Sequence, residues 1–346
     1  NRMERLHDLP PQAPILGETP LAFGRITPNS LTRTGPTHVS TIYHGLRREY
    51  FEATDLWHAQ LDPRIVQKDG FTARPPYFPA PWTLRPDQLR GEHDLLVIGD
   101  FNLRGGTQKS ALNVISAARA AGLDTALLHY RRIDRNVTWP LDPKVRAMAR
   151  DQDVRIVAPG ESLGAKTVVV SYPPILDTLL DRFPQIDHTH LVIVVNQMAE
   201  RAHNGADIAY DPNRVRVHLR DLFGSEGVWA PISERVRTLM SDDPRYPAPL
   251  EDTWTPLIDT DLWTAHEPRW RGGDGGRPVI GRHGRDHPLK WVAEADALCA
   301  AYCADRSCET RFLGGAVHAR ATLRRWPRNW RDMAFDAVDV KAFLAS

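Results

Sequence analysis

The stretch GDFNLRGGTQKS, residues 99–110, combines acidic, amide, glycine and basic residues at spacings that could bind a phosphate or a metal ion. The phosphate-binding loop of ATPases needs a glycine directly before its Lys-Ser/Thr pair, so that successive backbone amides wrap the phosphates. Here Gln108 precedes Lys109, which would lie one turn into the following helix. The stretch therefore does not predict an ATPase.

A second interpretation of the same residues is a metal site. In metal-dependent phosphoesterases of the endonuclease/exonuclease/phosphatase type, the Asp and Asn of such a motif hold the phosphate and its attacking water, and a later Ser-Asp-His-x-Pro supplies the base. Asp100 and Asn102 fit the first motif, and residues 285–288, RDHP, partly match the second. Residues 1–90 offer no strand ending in the metal-binding Glu of that family, whose strands are antiparallel. A phosphoesterase remains the second enzymatic alternative.

The third interpretation is a glycine turn between a strand and a helix. Gly105 and Gly106 follow a buried apolar run at 94–99 and precede apolar residues at helical spacing over 107–121. Thr107 is the expected N-cap of that helix. Backbone amides at such a turn can bind an anion, because no Cβ obstructs its approach. A tight turn without a ligand explains the glycines equally well. The turn alone therefore identifies no function, and a second segment is needed to indicate one.

That second segment is VIGRHGRDHPLKW, residues 279–291. It carries two Arg, two His and a Lys between a predicted strand and a predicted helix. A solvated basic loop is the simplest interpretation. A strand-end loop of a Rossmann-like domain, however, faces the crevice in which ligands of such folds bind. Arg282 and Lys290 converging there would neutralise a diphosphate and stabilise it as a leaving group.

Composition limits the functional classes. The 346 residues are 42% hydrophobic and 25% charged, as in globular proteins, and suffice for two domains. Because 44 Lys and Arg balance 43 Asp and Glu, no net field favours nucleic acid. Cys299, Cys303 and Cys308 lack a fourth metal ligand, and a disulfide framework would need more pairs and an oxidising compartment. We expect buried, reduced thiols in a cytoplasmic protein without a transmembrane segment.

Strand and helix alternate along most of the chain, which predicts parallel sheets. Short apolar runs predict strands at 94–99, 125–130, 154–157, 167–171, 191–195, 228–231, 278–281 and 310–313. Helical spacing predicts helices at 44–56, 107–121, 175–182, 232–240 and 288–304. The expected fold class is therefore α/β, with two Rossmann-like domains.

Breaks in this alternation predict the domain bounds. Residues 1–90 form a loop-rich N-terminal extension, and 91–245 form the first Rossmann-like domain. Pro and Gly at 246–277 indicate a linker. Residues 278–346 start a second Rossmann-like domain that is shorter than a doubly wound domain requires. We expect the chain to be truncated within this second domain.

The order of segments over residues 94–346 resembles the GT-B glycosyltransferases, specifically the retaining group that uses nucleotide-sugars. That group carries Gly-Arg followed by Lys, matched by Gly281, Arg282 and Lys290. Four further segments match in order, namely the Gly-Gly loop at 105–107, the strand and Ser-containing helix start at 229–236, the linker motif at 257–263 and the Gly-rich strand end at 313–316.

The resemblance implies two Rossmann-like domains with parallel sheets facing across a cleft, the first binding the acceptor and the second the donor. It implies catalytic roles for Arg282 and Lys290, which would stabilise the departing diphosphate. Donor and phosphate contacts would come from Gly105, Gly106, Thr107, Gly281, His283, Arg285, Gly314 and Gly315. The family's first-domain His is not evident, so Tyr172, Asn196 and Gln197 become the acceptor-side candidates.

The implied function is transfer of a sugar from a nucleotide-sugar to a glycan or other acceptor with retention, as in polysaccharide biosynthesis. No cofactor or metal is expected, no nucleic acid is bound, and peripheral membrane association is compatible with the sequence. The family's Glu-x7-Glu donor motif should follow residues 343–344, so the truncated chain is expected to be inactive. A non-catalytic nucleotide-sugar-binding module is the third alternative.

Overall fold

The computed structural model describes residues 38–60, 66–67, 70–71, 91–103, 105–132, 139–180, 182–201, 207–258, 260, 277–335 and 337–344. The chain divides into two units, Asn1–Leu257 and Ile258–Ser346, called unit 1 and unit 2 below. Within the described ranges, no helix is long and apolar enough to cross a membrane.

Unit 1 alternates strands and helices as the sequence predicts. Its elements in chain order are α1 (Leu46–Gln60), β1 (Val66–Gln67), β2 (Gly70–Phe71), β3 (Glu92–Gly99), α2 (Gly106–Ala120), β4 (Thr125–His129), α3 (Pro143–Asp151), β5 (Arg155–Val157), β6 (Ser162–Val170), β7 (Gln185–Val195), α4 (Pro212–Phe223), β8 (Val228–Pro231) and α5 (Glu234–Asp242). Short 3-10 helices span Val39–Ile42 and Pro173–Leu176.

Six of these strands form one parallel sheet in the order β5-β4-β3-β6-β7-β8. Two series of strands run outward from a central pair, so the direction of winding reverses between β3 and β6. In open α/β sheets, ligands bind beyond the carboxyl ends of the strands at such a reversal. The predicted α/β class with a parallel sheet is confirmed, and the sheet order adds the place where a ligand site is expected.

Burial on both faces explains why the strands could be recognised. In β3, Leu96 and Ile98 pack in one hydrophobic cluster, whereas Leu95 and Val97 pack in the cluster on the opposite face. Alternate side chains of a strand point to opposite faces, so a strand covered on both sides must be continuously apolar. These two layers position the ends of β3 and β6 rigidly.

Three helix predictions are corrected. Residues 175–182 do not form an α-helix, since only the 3-10 turn Pro173–Leu176 is present. The region 288–304 is not one helix, but a 3-10 turn at Pro288–Lys290 and a helix at Ala295–Ala301. The N-cap of α2 is Gly105, without a side-chain hydrogen bond, and not Thr107.

The described part of the predicted N-terminal extension contains α1, which packs against α3 and the segment after β4 through buried charges. Arg146 donates to both Glu49 (2.6 and 2.7 Å) and Glu52 (2.8 Å), and Arg131 also donates to Glu52 (2.8 Å). Burial opposes ionisation of Glu52, but hydrogen bonds from Arg48, the Leu141 amide and Arg146 hold its pKa at about 2. Buried pairs of this kind fix register more than they add stability.

Unit 2 is a smaller α/β layer. Its elements are β9 (Val279–His283), α6 (Ala295–Ala301), β10 (Glu309–Leu313), α7 (Val317–Thr322), β11 (Trp330–Met333) and α8 (Val340–Leu344). The three strands are parallel in the order β11-β10-β9. Its core centres on Phe312 and Trp330, whose ring centroids lie 5.4 Å apart.

The prediction of three reduced cysteines is wrong. Cys303 and Cys308 form a disulfide with Cα atoms 5.8 Å apart, and Cys299 is free. Helix α6 ends at Ala301, and Cys303 has a φ of 51°, so Cys299 and Cys303 do not share one helix face as their spacing suggested. The tight turn after α6 brings Cys303 to Cys308 instead.

Candidate functional site

The GDFN residues serve as structural ties in unit 1. Asp100 accepts hydrogen bonds from the amides of Asn102 (3.0 Å) and Arg132 (3.2 Å), and burial raises its pKa. The Asn102 side chain donates to the Pro140 carbonyl and accepts from the Asp142 amide, both at 2.9 Å. No cluster of metal-ligating side chains occurs in the described ranges. The parallel sheet also differs from the antiparallel fold that the phosphoesterase alternative requires.

The glycine turn opens onto a cavity of about 340 Å³ at the carboxyl ends of β3, β6 and β7. This is the point at which the strand order reverses, and the volume lies at the low end for small-ligand sites. The cavity is lined by Val97, Gly106, Thr107, Ser110, Ala111, Val114, Val169, Ser171, Val194, Asn196, Ile232, Trp254 and Pro256. It is mainly apolar, and none of the described residues lining it is ionisable near neutral pH.

The glycines shape the entrance to this cavity. Gly105 has a φ of 140°, in the region that favours glycine, and a Cβ added there or at Gly106 would meet no atom within 4 Å. The first amides of α2 carry the positive end of the helix dipole. A polar group can approach Gly106 and Thr107, because the space beside the glycines is open and no side chain caps the helix. The helix dipole also favours a negative group there.

Only one of the three acceptor-side candidates lines the cavity. Asn196 donates through Nδ2 to the Ser171 carbonyl at 2.8 Å, and its Oδ1 is buried without a hydrogen-bond partner in the described structure. Tyr172 is buried and its hydroxyl accepts from Arg132 Nη1 at 3.0 Å. Gln197 donates to the Met198 carbonyl at 3.0 Å. Tyr172 and Gln197 therefore contribute to packing around the cavity and do not line it.

In unit 2, Arg282 lies near the carboxyl end of β9 and its guanidinium stacks on Trp291, 3.8 Å from the ring. Its Nη2 donates to the Lys290 carbonyl at 3.2 Å, while Nη1 is buried and has no acceptor within the described residues. A buried cationic N–H without an acceptor is costly. No carboxylate of the described chain forms an ion pair with Arg282.

Lys290 is exposed, and its Nζ would lie 3.8 Å from a Cβ added at Gly284. The backbone carbonyl of Lys290 contacts Arg282, whereas its ammonium group lies near Gly284. Convergence of the two cations on one ligand stays a prediction. Arg285 is exposed on this loop. His283, the last residue of β9, is also exposed, and its ring stacks on Phe335 at a centroid distance of 6.5 Å.

Gly281, Gly314 and Gly315 make close contacts within the described part of unit 2. Gly314 and Gly315 both donate their amides to the Met333 carbonyl, at 3.0 and 2.9 Å, so neither N–H is open to a phosphate. Gly281 faces the Phe343 ring, which a Cβ would meet at 3.3 Å. Gly314 and Gly315 thus join the chain after β10 to β11, whereas Gly281 packs against α8. Phosphate binding by the three stays a prediction.

Two residues that complete this arrangement did not emerge from the sequence. Trp291 supports the Arg282 guanidinium, and Asp286 receives the Trp291 indole N–H at 2.7 Å. Trp291 follows the Gly-Arg…Lys signature directly, so an aromatic residue beside a cation was the available signal. Asp286 had been assigned only to the partial phosphoesterase motif.

Comparisons with known proteins give no family for the chain. No family model and no curated protein matches it. Among solved structures it is similar to HepE of Anabaena in complex with UDP and glucose, at 10% identity, covering 73% of this chain and 72% of that chain with a TM-score of 0.45. It is also similar to the glycosyltransferase SnogD from Streptomyces nogalater, at 13% identity, 70% and 71% coverage and a TM-score of 0.30.

The calicheamicin glycosyltransferase CalG4 matches at 14% identity over 70% of this chain and 69% of that chain, with a TM-score of 0.29. SnogD and CalG4 are thus glycosyltransferases of low sequence identity to this chain. These TM-scores carry no argument about the function of this chain, which must come from its own residues.

Proposed function

We propose that the chain is a glycosyltransferase that moves a sugar from a nucleotide-sugar to an acceptor with retention at the anomeric carbon. The observation that carries the proposal is the buried Nη1 of Arg282, a cationic donor without an acceptor in the described structure, beside the exposed Lys290. Two cations at the end of a parallel strand suit a diphosphate, because its negative charge would balance their positive charges.

The chemistry expected of Arg282 and Lys290 is stabilisation of the leaving group. As the bond between the anomeric carbon and the phosphate oxygen breaks, negative charge accumulates on the diphosphate. A guanidinium held in place by Trp291 meets that charge without reorganising. The contact between Arg282 and the diphosphate raises turnover only if it is stronger in the transition state than in the bound substrate.

The cavity of unit 1 is proposed as the acceptor site. Since none of its described lining residues is ionisable, no side chain there can act as a general base. In a retaining transfer the acceptor oxygen bonds to the anomeric carbon, and its proton passes to the departing phosphate oxygen on the same face. The apolar walls favour an uncharged acceptor, or the apolar part of an acceptor. A hydroxyl or N–H of the acceptor would point toward Asn196.

The first test is binding of nucleoside diphosphates, measured by titration calorimetry with and without Mg²⁺. We expect at least one to bind wild-type protein and Arg282→Ala to weaken that binding about tenfold or more, because a charge-assisted contact is lost. Arg325→Ala removes an exposed arginine of the same unit and is the matched control. Equal affinity in wild type and Arg282→Ala contradicts the proposal.

The second test is catalysis. In a full-length protein that includes the expected Glu-x7-Glu donor motif, release of nucleoside diphosphate from nucleotide-sugars, in the presence of candidate acceptors, should fall on the order of 10²-fold in Arg282→Ala. Binding without any transfer favours the non-catalytic sugar-nucleotide module instead. Activity within a few-fold of wild type removes Arg282 from the mechanism.

A further inference from the structure

Asp286 connects three parts of unit 2 through one carboxylate. Its Oδ1 accepts the Trp291 indole N–H at 2.7 Å, and its Oδ2 accepts the backbone amides of Val317 at 2.5 Å and His318 at 3.3 Å. The carboxylate thus caps the first turn of α7 and at the same time holds the indole of Trp291. Both oxygens are used by donors that come from different segments.

Trp291 is held between this carboxylate and the aromatic core. Its ring meets Phe312 edge-on at 5.2 Å and Tyr302 at 6.0 Å. Ring contacts leave an indole some freedom to turn, whereas a hydrogen bond to its N–H fixes which edge faces inward. The Asp286 contact therefore sets the plane on which the Arg282 guanidinium stacks at 3.8 Å.

We propose that Asp286 is a positioning residue for Arg282, acting through Trp291. This inference rests on the proposed function, because it assigns Arg282 its task toward a diphosphate. Asp286 itself makes no contact with the guanidinium in the described structure, so it orients the cation without neutralising it. A carboxylate in direct contact with Arg282 would instead compete with an anionic ligand.

The substitution Asp286→Asn separates the two tasks of the carboxylate. Asn is as good a helix cap as Asp and can accept from the amides of α7 through its one oxygen. Its NH2 group then faces the Trp291 N–H, so two donors oppose each other. The variant keeps the cap and breaks the link to Trp291.

A matched control exists in the same unit. Asp339 directly precedes α8 and accepts the amides of Lys341 at 2.9 Å and Ala342 at 3.2 Å, and no aromatic N–H of the described chain donates to it. Asp339→Asn therefore reproduces the loss of charge at a helix cap without touching the Trp291 link. Trp291→Phe keeps an aromatic face under Arg282 but lacks the N–H.

The experiment has one readout without ligand and one with ligand. An arginine-directed dicarbonyl reagent, followed by peptide mass spectrometry, reports how fast Arg282 is modified. We expect faster modification in Asp286→Asn and Trp291→Phe and the wild-type rate in Asp339→Asn. UDP and the other nucleoside diphosphates should bind about tenfold more weakly to Asp286→Asn, with little further loss in the Asp286→Asn, Trp291→Phe double variant.

The outcomes separate the two proposals. An unchanged rate of Arg282 modification in Asp286→Asn, or an equal rise in Asp339→Asn, overturns the positioning role whatever the nucleotides do. A selective rise in modification, together with no nucleotide binding by wild-type protein, supports the link from Asp286 to Arg282 and refutes the proposed function.

Discussion

Replacing Gly314 by Ala should destabilise unit 2 far more than the same change at its neighbour Gly315. Gly314 has a φ of 112°, and a Cβ there would lie 2.2 Å from the Gly284 carbonyl oxygen and 2.9 Å from its carbon. The colliding atoms belong to the backbone, so no side-chain rotation relieves them. Gly315 has a φ of 90°, but its Cβ would meet only the Asp286 side chain, at 3.5 Å.

The cost at Gly314 has two parts. A left-handed backbone in a non-glycine residue costs about 1–3 kcal/mol. Moving Gly284 away also strains the bonds from the Gly284 amide to Leu313 (3.0 Å) and from the Asp286 amide to Gly314 (3.2 Å), each about 1 kcal/mol. We therefore expect a loss of about 3–5 kcal/mol for Gly314→Ala and about 1–3 kcal/mol for Gly315→Ala.

Amide hydrogen exchange can assign this loss to the correct unit. The free energy of opening should fall for amides of β10 and β11 and stay unchanged for amides of β3 and β6, because the units have separate cores. The reasoning is refuted if Gly314→Ala is as mild as Gly315→Ala. Loss of protection in β3 would refute it as well.

Two further predictions concern other parts of the chain. Burial, with Arg131 nearby, holds the pKa of His129 at about 3, below its ordinary 6.5. The contribution of the neutral His129 to the free energy of unfolding is therefore fully present above pH 6.5 and falls by up to about 5 kcal/mol as the pH drops toward 3. Urea unfolding of His129→Gln should lose this slope between about pH 6.5 and 5, and an unchanged slope assigns it elsewhere. Thiol titration of the denatured, unreduced chain should find one cysteine per chain. Cys303→Ser with Cys308→Ser should cost about 2 kcal/mol in urea unfolding, and three free thiols would contradict the pairing.

The sheet was predictable from the sequence because its strands are buried on both faces. The runs ending at Gly99 and Val195 are continuously apolar, which no solvent-exposed strand would be. Helices α3 and α4 were missed because Arg residues, including the buried Arg146 of α3, interrupt their apolar positions. Both begin with an Asp N-cap followed by Pro, at 142–143 and 211–212, and this start signal was present in the sequence.

The candidate site was only partly predictable, since its parts come from different distances along the chain. Arg282 and Lys290 share one loop, and local spacing was enough to bring them together. The contact of Asp286 with residues 317–318 depends on β10 pairing beside β9, which no local pattern reveals. The same holds for the disulfide, which depends on the end of α6 at Ala301.

The most direct test of the central claim is a crystal structure of the wild-type chain with a nucleoside diphosphate. The account predicts a diphosphate oxygen within about 3 Å of an Arg282 guanidinium nitrogen, with the Lys290 ammonium group beside the same diphosphate. A diphosphate bound away from both residues would contradict the account. So would a diphosphate that contacts Arg285 and neither Arg282 nor Lys290.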